Sequence, residues 1–218
     1  MKRIILLLTG LIAISFQNRA QTVTDIDDNI YNIITIGNQT WMKENLKVTK
    51  LNDGTVITLV TDNSVWGNLT EPGYCNYNNT TNTDSINMYG RLYNWYTVST
   101  NKICPLGWHV PSDGEWTALT TYLGDLTVAG GKLKETGTTH WKSPNTDATN
   151  ETGFTSFPGG FRNLFGEFID LGGSGGWWSS TKINKHDVWS RSMTSSYGDV
   201  FRDYNDKGVG LSVRCLKD

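Results

Sequence analysis

The chain has 218 residues, 37% of them hydrophobic, with 19 Lys and Arg against 21 Asp and Glu. That length and composition suit one globular domain with its own core. The mild acidity, without a basic cluster, argues against nucleic acid and against anionic membrane surfaces as partners.

Residues 1–20 read as a secretory signal. Lys2 and Arg3 form a basic start, and Ile4 to Phe16 is an apolar run too short to span a bilayer. Cleavage is expected after Ala20. With no cysteine near that point, no lipid anchor is expected. The leader holds Lys2, Arg3 and Arg19 and no acid, so its removal takes the formal charge from −2 to −5. Residues 21–218 then form a single domain with no membrane span, expected to be a monomer.

Ile30–Ile36 and Gln39–Met42 alternate around the two-residue turn Gly37-Asn38, which predicts a hairpin. Asp53-Gly54 marks a turn before a strand at Val56–Val60. Residues 76–87 read as a polar loop, and Tyr89, Leu92, Tyr93 and Tyr96 as one face of a short helix. Ser112 and Glu115 make a capping box, in which each side chain satisfies a backbone N–H of the first turn. Trp116, Leu119 and Leu123 follow at helical spacing until Gly124, giving a helix over 113–123.

Residues 134–153 are polar and turn-rich, a length of loop that often carries function. Short strands are expected at 154–157, 167–170, 177–180, 188–193, 199–203 and 209–215. In the last, Val209, Leu211, Val213 and Cys215 share one face, with Ser212 and Arg214 on the other. The class is α+β: two short helices, mostly antiparallel short strands, and N- and C-terminal strands close together.

There are three cysteines. Cys104 and Cys215 each lie beside a segment with a well-defined buried face, and export permits disulfides. A bridge between them would close a loop of about 110 residues and stabilise the fold by up to ~4–5 kcal/mol. Cys75 is left over. With no His or basic residue close in sequence, it reads as a free or half-buried thiol rather than a functional one.

Five segments together carry a family resemblance. They are Trp41-Met-Lys-Glu-Asn-Leu46, Tyr89-Gly-Arg-Leu-Tyr-Asn-Trp-Tyr96, Cys104-Pro-Leu-Gly-Trp-His-Val-Pro-Ser-Asp-Gly-Glu-Trp116, Trp177-Trp-Ser-Ser-Thr181 and Gly210-Leu-Ser-Val-Arg-Cys215. In this order they resemble the Fibrobacter succinogenes major paralogous domain family, from about Asp25 to Cys215. The resemblance implies a C-type-lectin-like fold, distantly similar to formylglycine-generating-enzyme domains, and an exported bacterial protein. It implies no particular activity.

Nine tryptophans are many for this length. Trp95, Trp108, Trp116 and one of Trp177 and Trp178 read as core, since strand neighbours face opposite sides and only one of that pair can enter the same core. Trp66, Trp141 and Trp189 lie in polar surroundings and read either as core or as stacking platforms for sugar rings. His109 is expected beside the capped helix and His140 in a solvated loop. No histidine or cysteine spacing suits a metal, so no metal site and no cofactor is expected.

Calcium is the one ion a lectin-like fold raises. Glu71-Pro72-Gly73 lacks the amide that calcium-dependent lectins carry. Tyr204-Asn205-Asp206 echoes their second motif but reads equally well as a turn. There is no serine-nucleophile elbow, zinc-protease motif or phosphate loop. Asp113 and Glu115 are explained by the helix dipole.

Residues 182–206 are crowded with Ser, Tyr, Asn, Asp and Arg, the composition of adaptable recognition surfaces. They read equally as the solvated face of an antiparallel sheet. As a ligand face, Arg191, Tyr197, Arg202 and Tyr204 would be anchors. Asn184, Asp199 and Asn205 would supply hydrogen bonds, and Trp141 and Trp189 would stack. The expected ligand is a glycan, cell-wall component or surface protein. The alternatives are a carbohydrate-active hydrolase, whose carboxylate pair no spacing excludes, and an envelope scaffold without a small ligand.

Overall fold

The computed structural model describes residues 21–218, so the leader read at residues 1–20 lies outside the described residues. The strands are β1 (Thr22–Thr24), β2 (Ile30–Ile36), β3 (Gln39–Met42), β4 (Thr58–Leu59), β5 (Gly73–Cys75), β6 (Leu92–Tyr93), β7 (Trp108–His109), β8 (Phe161–Arg162), β9 (Phe168–Ile169), β10 (Ser174–Lys182), β11 (Asp187–Thr194), β12 (Phe201–Asp206) and β13 (Leu216–Lys217). The helices are α1 (Asn63–Gly67), α2 (Thr83–Tyr89), α3 (Trp95–Val98), α4 (Asp113–Tyr122) and α5 (Leu126–Leu133). The class is α+β, and every strand pair but β4–β5 is antiparallel.

The expected hairpin forms, with Gly37 at φ +59° supplying the turn conformation that side chains disfavour. It extends into a sheet ordered β1-β2-β3-β13-β7, in which Leu216 lies between Trp41 and His109. The two ends of the domain thus share one sheet, with the hairpin's return strand as the direct partner of β13. Beside it Cys104 and Cys215 form the expected disulfide, across a sequence separation of 111.

A second sheet, β10-β11-β12, divides the core. Trp177 and Trp178 are both fully buried but point to opposite sides. Trp177 joins Trp41, Trp116, Leu119, Phe154 and Met193 on the α4 side. Trp178 joins Tyr93, Trp95, Leu211 and the disulfide on the other. Each indole N–H is satisfied: Trp177 donates to Asn45 Oδ1 at 2.8 Å and Trp178 to the Tyr93 carbonyl at 2.7 Å.

Helix α4 starts at the predicted capping box, with Ser112 and Glu115 bonded reciprocally. Helix α5 has no counterpart in the sequence analysis and carries Gly130-Gly131 in its interior. Here both glycines serve close approach: a Cβ at Gly130 would meet the Asp199 backbone, and one at Gly131 the Asp147 backbone.

The expected helix through Tyr89–Tyr96 is not one element. Helix α2 occupies part of the supposed 76–87 loop and ends at Gly90, whose φ is +74°. Residues 92–93 then pair with β5, and Asn94 caps the separate α3. The strand expected at 56–60 shrinks to β4, and 154–157 contributes a single bridge between Lys134 and Ser156.

The 209–215 segment differs most from expectation. Its apolar face is buried, but so are Ser212 and Arg214. The chain runs between the sheets, exchanging backbone bonds with Tyr93 on one side and with Gly176 and Trp178 on the other. Among the described residues no carboxylate is in contact with Arg214. Burial pulls its pKa down to about 9, and the charge is held by Asn45 Oδ1 (2.9 Å), the Phe154 carbonyl (2.7 Å) and the Phe154 ring.

The polar 134–153 segment is likewise packed structure. Lys134 is fully buried, with its ammonium on the carbonyls of Thr146, Thr194 and Tyr197 at 2.7–2.9 Å. Burial lowers its pKa to about 8, yet three acceptors call for three protons, and we assign the ammonium form.

Candidate functional site: a polar groove on one face of the second sheet

Strand alternation splits residues 187–206 into two sets. Register pairs Trp189 with Tyr204, Arg191 with Arg202 and Ser190 with Asp203. Trp189, Arg191, Met193, Arg202 and Tyr204 take the α4 side. Ser190, Ser192, Asp203 and Asn205 take the other.

The α4 side pairs its charges with one another, although the buried Arg191 Nε has no hydrogen-bond partner among the described residues. Arg191 is fully buried and pairs with Asp113 Oδ1 at 2.8 Å. Arg202 grips the same carboxylate through Nε (2.9 Å) and Nη2 (2.8 Å), and lies 3.5 Å over the Trp189 ring. Hydrogen bonds from Arg202, and then from Arg191, hold the Asp113 carboxyl below its ordinary pKa despite partial burial. Beyond this triad lies a wide, shallow cleft of about 760 Å³ between Thr117, Thr121, Asp125 and Leu126.

The opposite side is concave. A groove of about 410 Å³ runs over Ser174, Gly176, Ser190, Ser192, Asp203 and Asn205, with Phe161 and Leu211 as apolar walls. Asn205 donates to Ser190 Oγ at 2.9 Å, and Ser192 donates to Asp203 Oδ2 at 2.6 Å. These bonds fix the polar groups yet leave Asp203 Oδ1 and Asn205 Oδ1 without a protein donor among the described residues. A Cβ at Gly176 would crowd Leu211, so its absence helps the floor close. The volume is within the range of small-ligand sites, roughly 300–1,000 Å³. The shallow cleft is larger, but it has no such set of polar groups locked on paired strands.

A model of the Fibrobacter succinogenes major domain matches residues 34–217. The chain belongs to that family. The match begins within β2 and ends within β13, so the groove and all of the core but the strand-β2 residue Tyr31 and its neighbours lie inside the Fibrobacter succinogenes major domain. No curated protein and no solved structure matches the chain.

Within this domain the sequence-predicted site residues scatter. Arg191, Arg202, Tyr204 and Asn205 all border the groove, and of these strand alternation turns only the Asn205 side chain into it. The side chains of Trp189, Arg202 and Tyr204 leave from the opposite face of the sheet, and Tyr204 is 64% exposed. Arg191, expected as an anchor, is instead a buried brace. Trp141, expected as a stacking platform, is 1% exposed and donates to the Ser156 carbonyl at 3.0 Å, so the 134–153 loop folds it inward. Trp66 is buried in the same way, under the Arg162 guanidinium.

Asn184 is a turn residue, accepting from the His186 and Asp187 amides. Asp199 supports the Gly130 contact. Tyr197 is exposed and packs edge-on against Phe201. Tyr204-Asn205-Asp206 is strand rather than turn. Ser190, Ser192, Asp203, Phe161 and Leu211 went unread. Alternation gave a signal for the first three, whereas Phe161 and Leu211 arrive from distant segments.

The histidines also differ from expectation. His140 is not solvated: Nδ1 contacts Glu135 at 2.8 Å and the ring meets Phe157 edge-on. His109 does lie beside the capped helix, between Glu115 (3.0 Å) and Asp218 (2.6 Å). Burial opposes its charge, but the two carboxylates raise its pKa. Cys75 is free and buried, and burial pushes its thiol up to about 12. Among the described residues no three His, Cys, Asp or Glu side chains are placed to hold a metal ion.

Proposed function

We propose that the domain is an exported, non-catalytic binding module of C-type-lectin-like build that takes a glycan in the Ser190–Asn205 groove. One observation carries the reading. Hydroxyl, amide and carboxylate groups locked on adjacent strands converge with an aromatic wall on a cavity of about 410 Å³. Sugars ask for this pairing, with an apolar ring face on one side and a hydrogen-bonding edge on the other.

A glycosidase needs two carboxyls roughly 5–10 Å apart, and Asp203 is the sole acid among the groove-lining residues. That favours binding over hydrolysis, while the concavity itself favours a ligand over a purely structural role. A buried disulfide fits an oxidising compartment: periplasm, cell surface or outside. No helix among the described residues is long and apolar enough to cross a membrane. The module is proposed to act as a monomer, and to bind without calcium.

The test is a glycan array and polysaccharide pull-down with the exported chain, run with calcium and with chelator. Binding should resist the chelator and weaken about tenfold in Asn205→Ala, the loss of one well-placed polar partner. Chelator-sensitive binding overturns the calcium-free part. Silence under both conditions, or binding untouched by both Asn205→Ala and Ser192→Trp in folded variants, removes the groove as the site.

A further inference from the structure

The charge lining the groove is unbalanced. Asp203 is the one ionisable side chain that strand alternation turns into it. Its Oδ2 accepts from Ser192, and among the described residues nothing donates to its Oδ1. Among the described residues no cation bonds it: Arg191 and Arg202 leave from the opposite pleat and end on Asp113, and Arg191 reaches Asp203 only through space. A ligand in the groove therefore meets one carboxylate, flanked by the Asn205 amide that the buried Ser190 hydroxyl holds in place, with Phe161 as a wall. Such a site rewards cationic and neutral donors and repels anions.

We infer that the groove selects its glycan by charge, taking a sugar with a free protonated amine over its N-acetylated counterpart and rejecting uronic acids. This rests on the proposal that a glycan occupies the groove. The ring wall favours a sugar over a lysine side chain. An amino sugar can stack on Phe161 while presenting its ammonium and hydroxyls to Asp203 and Asn205, whereas a lysine tip would engage Asp203 alone.

Calorimetric titration of the full exported chain decides it, with a glucosamine oligomer, its N-acetylated form, an oligogalacturonate and a lysine-rich peptide. Charge-assisted hydrogen bonds are about twice as strong as neutral ones, so the glucosamine oligomer should bind about fivefold more tightly than the acetylated one. The oligogalacturonate should bind least. Asp203→Asn should erase the preference and leave the acetylated oligomer within about twofold. Thermal melting checks the variant's fold, and Asp203→Ser makes the same test should asparagine disturb Ser192.

Binding of the acetylated oligomer with no preference for the amine sinks charge selection but spares the groove as a glycan site. So does a preference that survives in Asp203→Asn, or an oligogalacturonate that binds as tightly as the amine. A peptide that outcompetes every sugar overturns the ligand class. No binding by any sugar removes the glycan reading as well.

Discussion

The two faces of the β10–β11–β12 sheet are built from alternate residues of the same strands, and they treat charge in opposite ways. On the α4 side, Asp113 sits between Arg191 and Arg202, and Trp189 covers the second guanidinium. On the groove side, Asp203 and Asn205 hold serines but retain free acceptor atoms. The first face spends its charges on one another, with the buried Arg191 Nε left over among the described residues. The second presents its polar groups to a ligand. Burial explains the contrast: Arg191 is wholly out of water, where an unpaired guanidinium would cost several kcal/mol, roughly. Asp203 keeps solvent contact, so it tolerates an open valence.

The comparison can be broken at three levels. The largest effect should come from the core beneath the groove, where Cys104 and Cys215 join the cluster of Trp178 and Leu211. The paired change Cys104→Ser and Cys215→Ser should lower unfolding free energy by about 4–5 kcal/mol in the chain-entropy account. Denaturant titration of the two forms measures this. A change below about 1 kcal/mol would mean that the link adds little to a core already held by the sheets.

Next in size, Arg191→Ala removes one partner of the buried pair. It should destabilise by about 3 kcal/mol, since Asp113 loses its inner counter-ion and a cavity opens under α4. Glycan affinity per folded molecule should stay unchanged, because the brace lies across the sheet from the groove. Affinity falling in step with stability would show that the two faces are not independent.

The smallest effect should be at Tyr204, more than half exposed on the α4 side. Tyr204→Ala should shift stability by no more than about 0.5 kcal/mol and leave glycan binding intact. A loss of binding there would move the site to the other face of the sheet, where the raw composition of residues 182–206 suggested an anchor.

Much of the frame was legible because its causes are local. The Gly37-Asn38 turn, the Ser112–Glu115 box and the apolar spacing of Trp116, Leu119 and Leu123 act within a few residues of themselves, and both the hairpin and the helix they specify form. The opposed burial of Trp177 and Trp178 follows from the pleat alone. The disulfide was readable because each cysteine adjoins a segment whose buried face is evident.

The site was less legible. Residues 182–206 announced a polar surface, but composition has no direction, and only strand register sorts it into brace and groove. Trp141 looked exposed among polar neighbours until Lys134 gathered three carbonyls and folded the loop inward. Helix α5 went unpredicted, and its Gly130 and Gly131 admit the backbones of Asp199 and Asp147 from distant segments.

From the sequence alone came the family, the α+β class, the first hairpin, the capped helix and the covalent link between Cys104 and Cys215. Those rest on interactions short in sequence or on periodicities that survive any packing. Tertiary structure decided which polar residues are consumed and which stay open. That choice depends on what faces them across space: Asp113 from a helix about ninety residues earlier meets Arg202, and Phe161 and Leu211 arrive from separate segments to wall the groove. A side chain's chemistry is set by its residue type, but its availability is set by its neighbours, and here those come from distant parts of the chain.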